Sequence, residues 1–285
     1  MKGYTFMKKT KNKLYCFGCS FTDANYKSRS NPEIDCGWPK WPEILGKKLG
    51  LESINRGLAG SSNDAIFHRV ISSIINNHEE IDTICILWTN IWRYRIGEIH
   101  LNPRSASYRD YHKNWQHKIE RSTMEMIDGN LKGVQETTFY GFLYDFQNLQ
   151  TLCKKFNIRL ISWCGCSFLN LGPNSKRYSE LTKDILIKWH DAVNDNKFPH
   201  RGRNGFTSFI DNNKKFIDEK DIIGWPFVKW LGGNSYSEII RFGPPVYPRT
   251  HSSRLEYCIS ELDNHPNANG HELIAETFWK HINDL

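Results

Sequence analysis

Four short apolar runs alternate along the chain with segments of helical periodicity, and this alternation limits the fold more than any other feature. The runs are LYCFG (14–18), LESIN (51–55), DTICILW (82–88) and NIRLISW (157–163). Each has the length of a buried strand and ends near a small or polar residue. Strands that alternate with helices predict an α/β fold, in which helices cover both faces of a parallel sheet.

Three amphipathic helices are predicted around these strands, over 65–75, 140–156 and 271–282. The first has a serine or asparagine before it as a candidate N-cap, at Ser61, Ser62 or Asn63. Its apolar side chains fall on one face: Ile66, Phe67, Val70, Ile71, Ile74 and Ile75. Since parallel sheets bind ligands at the carboxyl ends of their strands, functional residues are expected there.

The length and the composition predict one domain over residues 1–285. The chain is 39% hydrophobic and contains ten Trp, twelve Tyr and sixteen Phe, enough apolar surface for a packed core. Two polar, aromatic stretches without a strand pattern, 96–138 and 167–256, are interpreted as insertions that shape the pocket.

Several classes of protein are disfavoured by the sequence. The longest apolar runs, such as ICILW (84–88), are much shorter than the ~20 residues that span a bilayer, so no membrane association is expected. The basic N-terminus is not followed by the apolar stretch of a signal peptide, which favours a cytoplasmic location. The net charge of +7 is dispersed, so no nucleic-acid partner is expected. The oligomeric state is left open.

Four short blocks lie where a parallel sheet would bring them together: GCSFT (18–22), NRGLAGSSN (55–63), WTN (88–90) and LDNHPNANGH (262–271). A serine becomes a nucleophile when a histidine takes its proton and an acid orients that histidine. Ser20, His265 and Asp263 provide these three groups. The backbone N–H groups of Ser20 and Gly60, with the Asn90 amide, would provide the donors of an oxyanion hole.

The order of these blocks resembles the SGNH (GDSL-like) hydrolase family. The matching positions are Ser20, Gly60, Asn90 and His265, with Asp263 as the acid. The resemblance implies a three-layer αβα sandwich with a mainly parallel, flavodoxin-like sheet of about five strands. It also implies hydrolysis or transfer of acyl groups on lipids, sugars or other esters.

Three positions depart from the family pattern. The usual Gly-Asp-Ser reads Gly18-Cys19-Ser20, and Asp23 is the candidate to replace the missing polar residue in holding the turn. The usual Gly-x-Asn-Asp reads WTNI at 88–91, and the Asp-x-His spacing is one residue shorter than the commoner form.

Simpler roles exist for the same residues. Ser20 could be a turn residue or a helix N-cap, and Asn90 could only terminate a strand. Gly60 could be required for a positive φ angle, which is compatible with an oxyanion role. His271 competes with His265, although its position at the start of a helix favours capping or packing.

The eight cysteines are predicted to be reduced, because Cys16, Cys85, Cys153 and Cys258 lie in apolar contexts. Cys16-x-x-Cys19 could be a redox motif, but Cys16 falls inside a strand rather than at a helix start. Cys164-Gly-Cys166 lacks the second pair of a zinc site, so neither a metal nor a cofactor is expected.

The sequence therefore predicts a serine-dependent acyl-ester hydrolase that forms an acyl-serine intermediate. The expected substrate is a small-molecule or carbohydrate ester, and the modest positive charge and aromatic insertions favour an acylated carbohydrate. The alternatives are an O-acyltransferase and a non-catalytic module that binds carbohydrate or protein and retains the fold.

Overall fold

The computed structural model describes residues 11–90, 93–96, 99–101, 131–166, 218–225, 234–242 and 252–285. Four strands form one parallel sheet in the order β2-β1-β3-β6: β1 (Lys13–Gly18), β2 (Glu52–Gly57), β3 (Ile81–Trp88) and β6 (Arg159–Cys164). Two short strands, β4 (Tyr94–Ile96) and β5 (Ile99–Leu101), form a separate antiparallel pair. Each of the four predicted strands is present, and the α/β fold class is confirmed.

Six helices accompany the strands: α1 (Trp41–Leu49), α2 (Asn63–Asn77), α3 (Leu131–Lys155), α4 (Tyr236–Phe242), α5 (Ser252–Tyr257) and α6 (Ala268–Asp284) among the described residues. The strand order is that of flavodoxin-like doubly wound sheets, in which the first strand lies inside the sheet. The expected sheet of about five strands has four among the described residues. At the other edge of β6, Ile222 forms a single parallel bridge with Ser162.

Alternate residues of each strand face opposite layers of helices. Tyr15 and Phe17 of β1 pack on one face with side chains of α2 and α3, such as Val70 and Phe146. The other face, which includes Leu14 and Cys16, packs against α1 and α6 through residues such as Trp41, Leu45, Ile274 and Phe278. The sheet thus lies between two layers of helices, as the three-layer prediction required.

Two details of the helix predictions were wrong. Ile75 does not share the buried face of α2, because its side chain is 62% exposed, whereas Ile66, Val70 and Ile74 are fully buried. Helix α1 was not predicted, because its nine residues include a proline at the start and a glycine inside. It is nevertheless central to the packing, since Trp41 stacks on Phe278 of α6 at 4.9 Å between ring centroids.

Most of the predicted insertions, 96–138 and 167–256, lie outside the described residues, so their role at a pocket and the single-domain assignment stay predictions. All eight cysteines are free, and Cys16, Cys85, Cys153 and Cys258 are buried as predicted. Within the part of the chain that the structure describes, no helix has the length and apolar character needed to cross a membrane.

Candidate active site

Ser20 lies in a tight turn directly after β1. The backbone N–H groups of Thr22 and Asp23 both donate to the carbonyl oxygen of Cys19, at 2.9 and 3.1 Å. This turn folds the chain back over the carboxyl end of the strand and leaves Ser20 only 7% exposed. The nucleophile candidate is therefore held at the edge of the sheet where parallel-sheet proteins bind ligands.

His265 and Asp263 belong to a closing loop, residues 258–267, which leads into α6. Cys258 and Pro266 pair as an antiparallel bridge, and the N–H of Ile259 donates to the carbonyl of His265 at 3.0 Å. Asn267 caps α6 by accepting the N–H of Gly270 at 2.9 Å, while its amide donates to the carbonyls of Glu256 and Cys258. These bonds fix the shape of the loop.

Ser20, His265 and Asp263 form one continuous hydrogen-bonded chain, referred to below as the Ser–His–Asp chain. Nε2 of His265 lies 2.8 Å from Oγ of Ser20, and Nδ1 lies 2.5 Å from Oδ1 of Asp263. A carboxylate only accepts, so Nδ1 carries the proton and Nε2 is left to accept from the serine hydroxyl. This is the tautomer that a general base toward Ser20 requires.

The short spacing between Asp263 and His265 is accommodated locally. Oδ1 of Asp263 accepts both the ring Nδ1–H and the backbone N–H of His265, the latter at 3.0 Å. Burial would raise the pKa of the Asp263 carboxyl, but hydrogen bonds from the His265 ring, the Ser28 hydroxyl and the His265 amide outweigh it and hold the pKa well below its usual range. Asp263 is therefore an anion facing the imidazole at neutral pH.

Three residues after Ser20 surround the histidine and were not predicted. The Tyr26 ring stacks on the imidazole, and Phe21 meets it edge-on. Ser28 donates its hydroxyl to Oδ2 of Asp263 at 2.5 Å. No sequence pattern signals these contacts, because the partners lie 235 to 244 positions apart in the chain.

Gly60 lies in the exposed loop after β2 with a φ angle of +82°, which side-chain-bearing residues rarely adopt. Asp23 ties this loop to the Ser20 turn, since its Oδ2 accepts the N–H of Ala59 at 2.9 Å. Asp23 thus joins the Ser20 turn to the loop that carries Gly60, while its replacement of the missing polar residue in holding the turn stays a prediction. No described residue accepts a hydrogen bond from the N–H of Ser20 or of Gly60.

Asn90 follows β3, the neighbour of β1 in the sheet, and is 5% exposed. The side chain of Asn63, at the start of α2, holds the preceding residue by bonding both the N–H and the carbonyl of Thr89, at 2.9 and 3.1 Å. The three predicted oxyanion donors therefore come from the loops after three adjacent strands, β2, β1 and β3.

Cys19 has a different environment from Ser20. Its side chain is 1% exposed, and Oγ of Ser20 lies 4.0 Å from its sulfur, much farther than from Nε2 of His265. A hydrogen bond from Cys166, together with the charge of Arg93, lowers the pKa of the buried Cys19 thiol, whereas the pKa of Cys166 is raised. Among the bonds of the described residues, His265 is joined to the Ser20 hydroxyl and no bond joins it to the Cys19 sulfur.

His271 is buried at the contact between α6 and α1. Its Nδ1 accepts the backbone N–H of Trp41 at 3.3 Å, and its side chain is 3% exposed. Burial, reinforced by the charge of Lys40, lowers the pKa of this imidazole to about 3. His271 is a neutral packing residue in the structure, and it is His265 that contacts Ser20.

Comparisons with known proteins give matches among solved structures only: no protein-family model matches the chain, and no curated protein matches it significantly. The matching structures include acetylxylan esterase Axe2 from Geobacillus stearothermophilus, with 14% identity, 97% of this chain and 96% of that chain covered, and a TM-score of 0.41. They also include esterase EstA from Pseudoalteromonas sp., with 11% identity, 96% and 97% coverage, and a TM-score of 0.42.

A third match is a protein from Desulfitobacterium hafniense described as a lipolytic protein of the G-D-S-L family. It is 12% identical, with 95% of this chain and 99% of that chain covered and a TM-score of 0.38. The family in that description is the one that the sequence blocks around Ser20, Gly60, Asn90 and His265 resemble.

Proposed function

We propose that this protein is a serine-dependent hydrolase of carboxylic esters, with Ser20 as nucleophile, His265 as general base and acid, and Asp263 as the acid that orients the histidine. The observation that carries the proposal is the Ser–His–Asp chain, with its 2.8 Å and 2.5 Å contacts in the required order. Hydrogen-bonded contact from nucleophile to base to orienting acid is the geometric signature of nucleophilic acyl transfer.

The first half of the reaction would form an acyl-enzyme. Oγ of Ser20 attacks the ester carbonyl carbon while its proton passes to Nε2 of His265, giving a tetrahedral oxyanion and an imidazolium. The imidazolium then gives that proton to the leaving alkoxide oxygen as the C–O bond breaks. The products of this half are a free alcohol and an acyl ester on Ser20.

The second half would release the acid. Nε2 of His265 takes a proton from a water molecule, whose oxygen attacks the acyl-serine carbonyl carbon. The second tetrahedral intermediate collapses with the proton returned to Oγ, which regenerates Ser20 and releases the carboxylic acid. The Asp263 anion stabilises the imidazolium in both halves, which is why its low pKa supports the proposal.

The developing oxyanion needs donors that are fixed before the reaction begins. We assign this role to the N–H groups of Ser20 and Gly60 and the side-chain amide of Asn90. What supports the assignment is their position in the loops after adjacent strands, and the lack of any described acceptor for the first two N–H groups. Each such donor contributes roughly 3 kcal/mol to transition-state stabilisation in comparable enzymes.

An acylated carbohydrate is the substrate that we propose, on the sequence argument given above. Release of acetate from acetylated xylooligosaccharides, compared with hydrolysis of p-nitrophenyl esters of increasing acyl length, tests this choice. Preference for a long acyl chain over an acetyl group would contradict it. Transfer of the acyl group to an added alcohol, measured in the same assay, would identify an acyltransferase instead.

Covalent labelling tests the nucleophile itself. A fluorophosphonate reacts only with an activated serine, so the intact mass of the wild type should increase by one adduct. Ser20→Ala should abolish both the adduct and ester hydrolysis, whereas the matched variant of the neighbouring residue, Cys19→Ala, should keep both. A labelled and active Ser20→Ala variant would refute the assignment. A wild type without adduct or hydrolysis would favour a non-catalytic binding module.

A further inference from the structure

Tyr26 contacts the candidate base with both its ring and its hydroxyl. Its ring lies against the imidazole of His265 with 4.0 Å between centroids and an angle of 22° between planes. Its hydroxyl oxygen lies 2.7 Å from Nδ1 of His265 and 3.0 Å from Oδ2 of Asp263. One side chain therefore contacts both partners of Ser20.

The hydrogen bonds determine which way the Tyr26 hydroxyl points. Nδ1–H of His265 already donates to Oδ1 of Asp263, so the tyrosine O–H is directed to the other carboxylate oxygen, Oδ2. Burial, followed by the charge of Asp263, raises the pKa of Tyr26 and keeps this hydroxyl protonated.

The Asp263 carboxylate is thereby held by four donors. Oδ1 accepts the ring and backbone N–H groups of His265, and Oδ2 accepts the hydroxyls of Tyr26 and Ser28. A carboxylate bonded through both oxygens cannot rotate without breaking several of these bonds, since each depends on direction.

Tyr26 and Ser28 belong to the same loop as the nucleophile. This loop also bonds the closing loop farther out, where the Ser260 hydroxyl donates to Oδ1 of Asn31 at 2.5 Å. The orientation of the base relative to Ser20 is thus set by residues that follow Ser20 in the chain. Phe21 also contacts the imidazole of His265, edge-on and with 5.1 Å between ring centroids, so the imidazole is in contact with two aromatic rings of this loop.

We propose that Tyr26 is a positioning residue for the base: its ring fixes the plane of the His265 imidazole, and its hydroxyl fixes the Asp263 carboxylate to which that imidazole is bonded. The proposal rests on the proposed function, because a base needs positioning only if Ser20 is a nucleophile. The stacked ring also supplies an aromatic face to the imidazolium formed during the reaction, a cation–π contact. Tyr26 acts through His265 and Asp263 and takes no part in bond making.

Two variants separate the two contributions. Tyr26→Phe keeps the ring and removes the hydroxyl, and we expect kcat to fall about tenfold. Tyr26→Leu removes both, and we expect kcat to fall about a hundredfold with KM changed less than about twofold, because the interaction is made with the base and not with the substrate. Tyr144→Leu, a matched change at a 49% exposed tyrosine on α3, should leave kcat unchanged.

A spectroscopic measurement provides a readout that does not require turnover. The proton between Nδ1 of His265 and Asp263 should give a far-downfield NMR signal in the wild type, because that contact is short and charge-assisted. We expect the signal to persist in Tyr26→Phe and to broaden or disappear in Tyr26→Leu. Circular dichroism establishes that each variant is folded before either measurement is interpreted.

The outcomes separate the two proposals. Wild-type kcat and an unchanged downfield signal in a folded Tyr26→Leu variant would overturn the positioning role and leave the proposed function intact. A raised KM with unchanged kcat would overturn it as well, since Tyr26 would then be a substrate contact. A wild type that neither hydrolyses esters nor reacts with fluorophosphonate would overturn both.

Discussion

The loop that carries Ser20 and the closing loop that carries His265 are held in different ways. The first is bonded directly to the sheet and its helices through Thr22. The carbonyl of Thr22 accepts a hydrogen bond from the side-chain amide of Asn55 in β2 at 2.8 Å, and the Thr22 hydroxyl accepts one from Nε1 of Trp41 in α1 at 3.2 Å. Gly57, at the end of β2, lies so close that a Cβ there would come within 2.5 Å of the Thr22 backbone.

The closing loop relies on α6 and on the first loop. Asn267 joins it to α6, while Asp263 and Ser260 bond to Ser28 and Asn31. The sheet therefore positions the nucleophile, and the nucleophile's loop positions the base. Loss of a bond between the first loop and the sheet should therefore appear mainly as lost stability, whereas loss of a bond that holds the closing loop should also appear as lost turnover.

Among the changes that compare the two loops, the largest effect is expected for Asp263→Asn. The amide cannot hold the imidazole in the tautomer that presents an accepting Nε2, so kcat should fall by roughly 10³ to 10⁴, as in other triads. Steady-state kinetics measures this, with Asp284→Asn at the exposed end of α6 as the matched control. Near-wild-type turnover in Asp263→Asn, together with an inactive His265→Ala, would show that Asp263 is not needed and that the catalytic group is a Ser–His pair.

Acid should lower the stability of the fold through His271, which lies on α6 directly after the closing loop. Its pKa falls from 6.5 when unfolded to about 3 when folded, so below pH 6.5 the unfolded chain binds a proton that the folded protein rejects. Stability should therefore fall by about 1.4 kcal/mol per pH unit from this residue alone, down to about pH 3.

Urea unfolding at several pH values measures that slope, and His271→Asn provides the comparison because its side-chain oxygen can still accept from Trp41. Asp263, whose pKa is lowered, stabilises the fold above its unfolded pKa of about 3.9 and loses this contribution only at lower pH. Equal slopes for wild type and His271→Asn between pH 6.5 and 4 would contradict the assignment.

Asn267→Ala should cost about 2 kcal/mol of unfolding free energy. The change removes the N-cap of α6 and two donors to the carbonyls of Glu256 and Cys258. Because the closing loop then loses its attachment to α6, kcat should also fall, which thermal unfolding and kinetics measured together would reveal. Asn283→Ala, at an exposed asparagine near the end of α6 whose amide bonds the carbonyl of Trp279 in the same helix, serves as the control. A loss of stability without any loss of turnover would mean that α6 does not position His265.

The smallest expected effects distinguish the two loops most directly. Thr22→Val removes the acceptor of Trp41 Nε1, and Ser260→Ala removes the hydroxyl bonded to Asn31 and to the N–H of Asp263. Each should lower stability by about 1 kcal/mol. Only Ser260→Ala should lower kcat clearly, by about three- to tenfold. A clear loss of kcat in Thr22→Val but not in Ser260→Ala would contradict the proposed difference between the two loops.

The strands were accessible from sequence because their signal is local, and Ser20, Asp263 and His265 were accessible because the order of the blocks that contain them resembles a known family. A buried strand is a contiguous apolar run, and Asp263 and His265 are two residues apart. The positive φ angle considered for Gly60 is present, while its role as an oxyanion donor stays a prediction. Ile75 was misplaced because an apolar residue on the margin of a helical face can remain exposed.

Tyr26 and Ser28 could not be predicted in the same way. Both are common loop residues, and what distinguishes them is contact with residues 235 to 239 positions away. Loop conformation is set by such distant hydrogen bonds and not by periodicity, so the order of residues 21–31 carries no signal of which side chain meets the imidazole. Helix α1 was not predicted from the sequence for a related reason: it is short, and it gains stability from packing on α6.

The two bonds that join Asp263 to His265 have a consequence for folding. Acid and base form one local unit, whereas the serine that they meet lies 245 positions away. Because the acid and the base lie on the same turn, one long-range event, the docking of that turn onto the loop after β1, brings both side chains to Ser20. In refolding experiments, activity should return in one late phase together with the packing of α6, since contacts between distant segments form slowly.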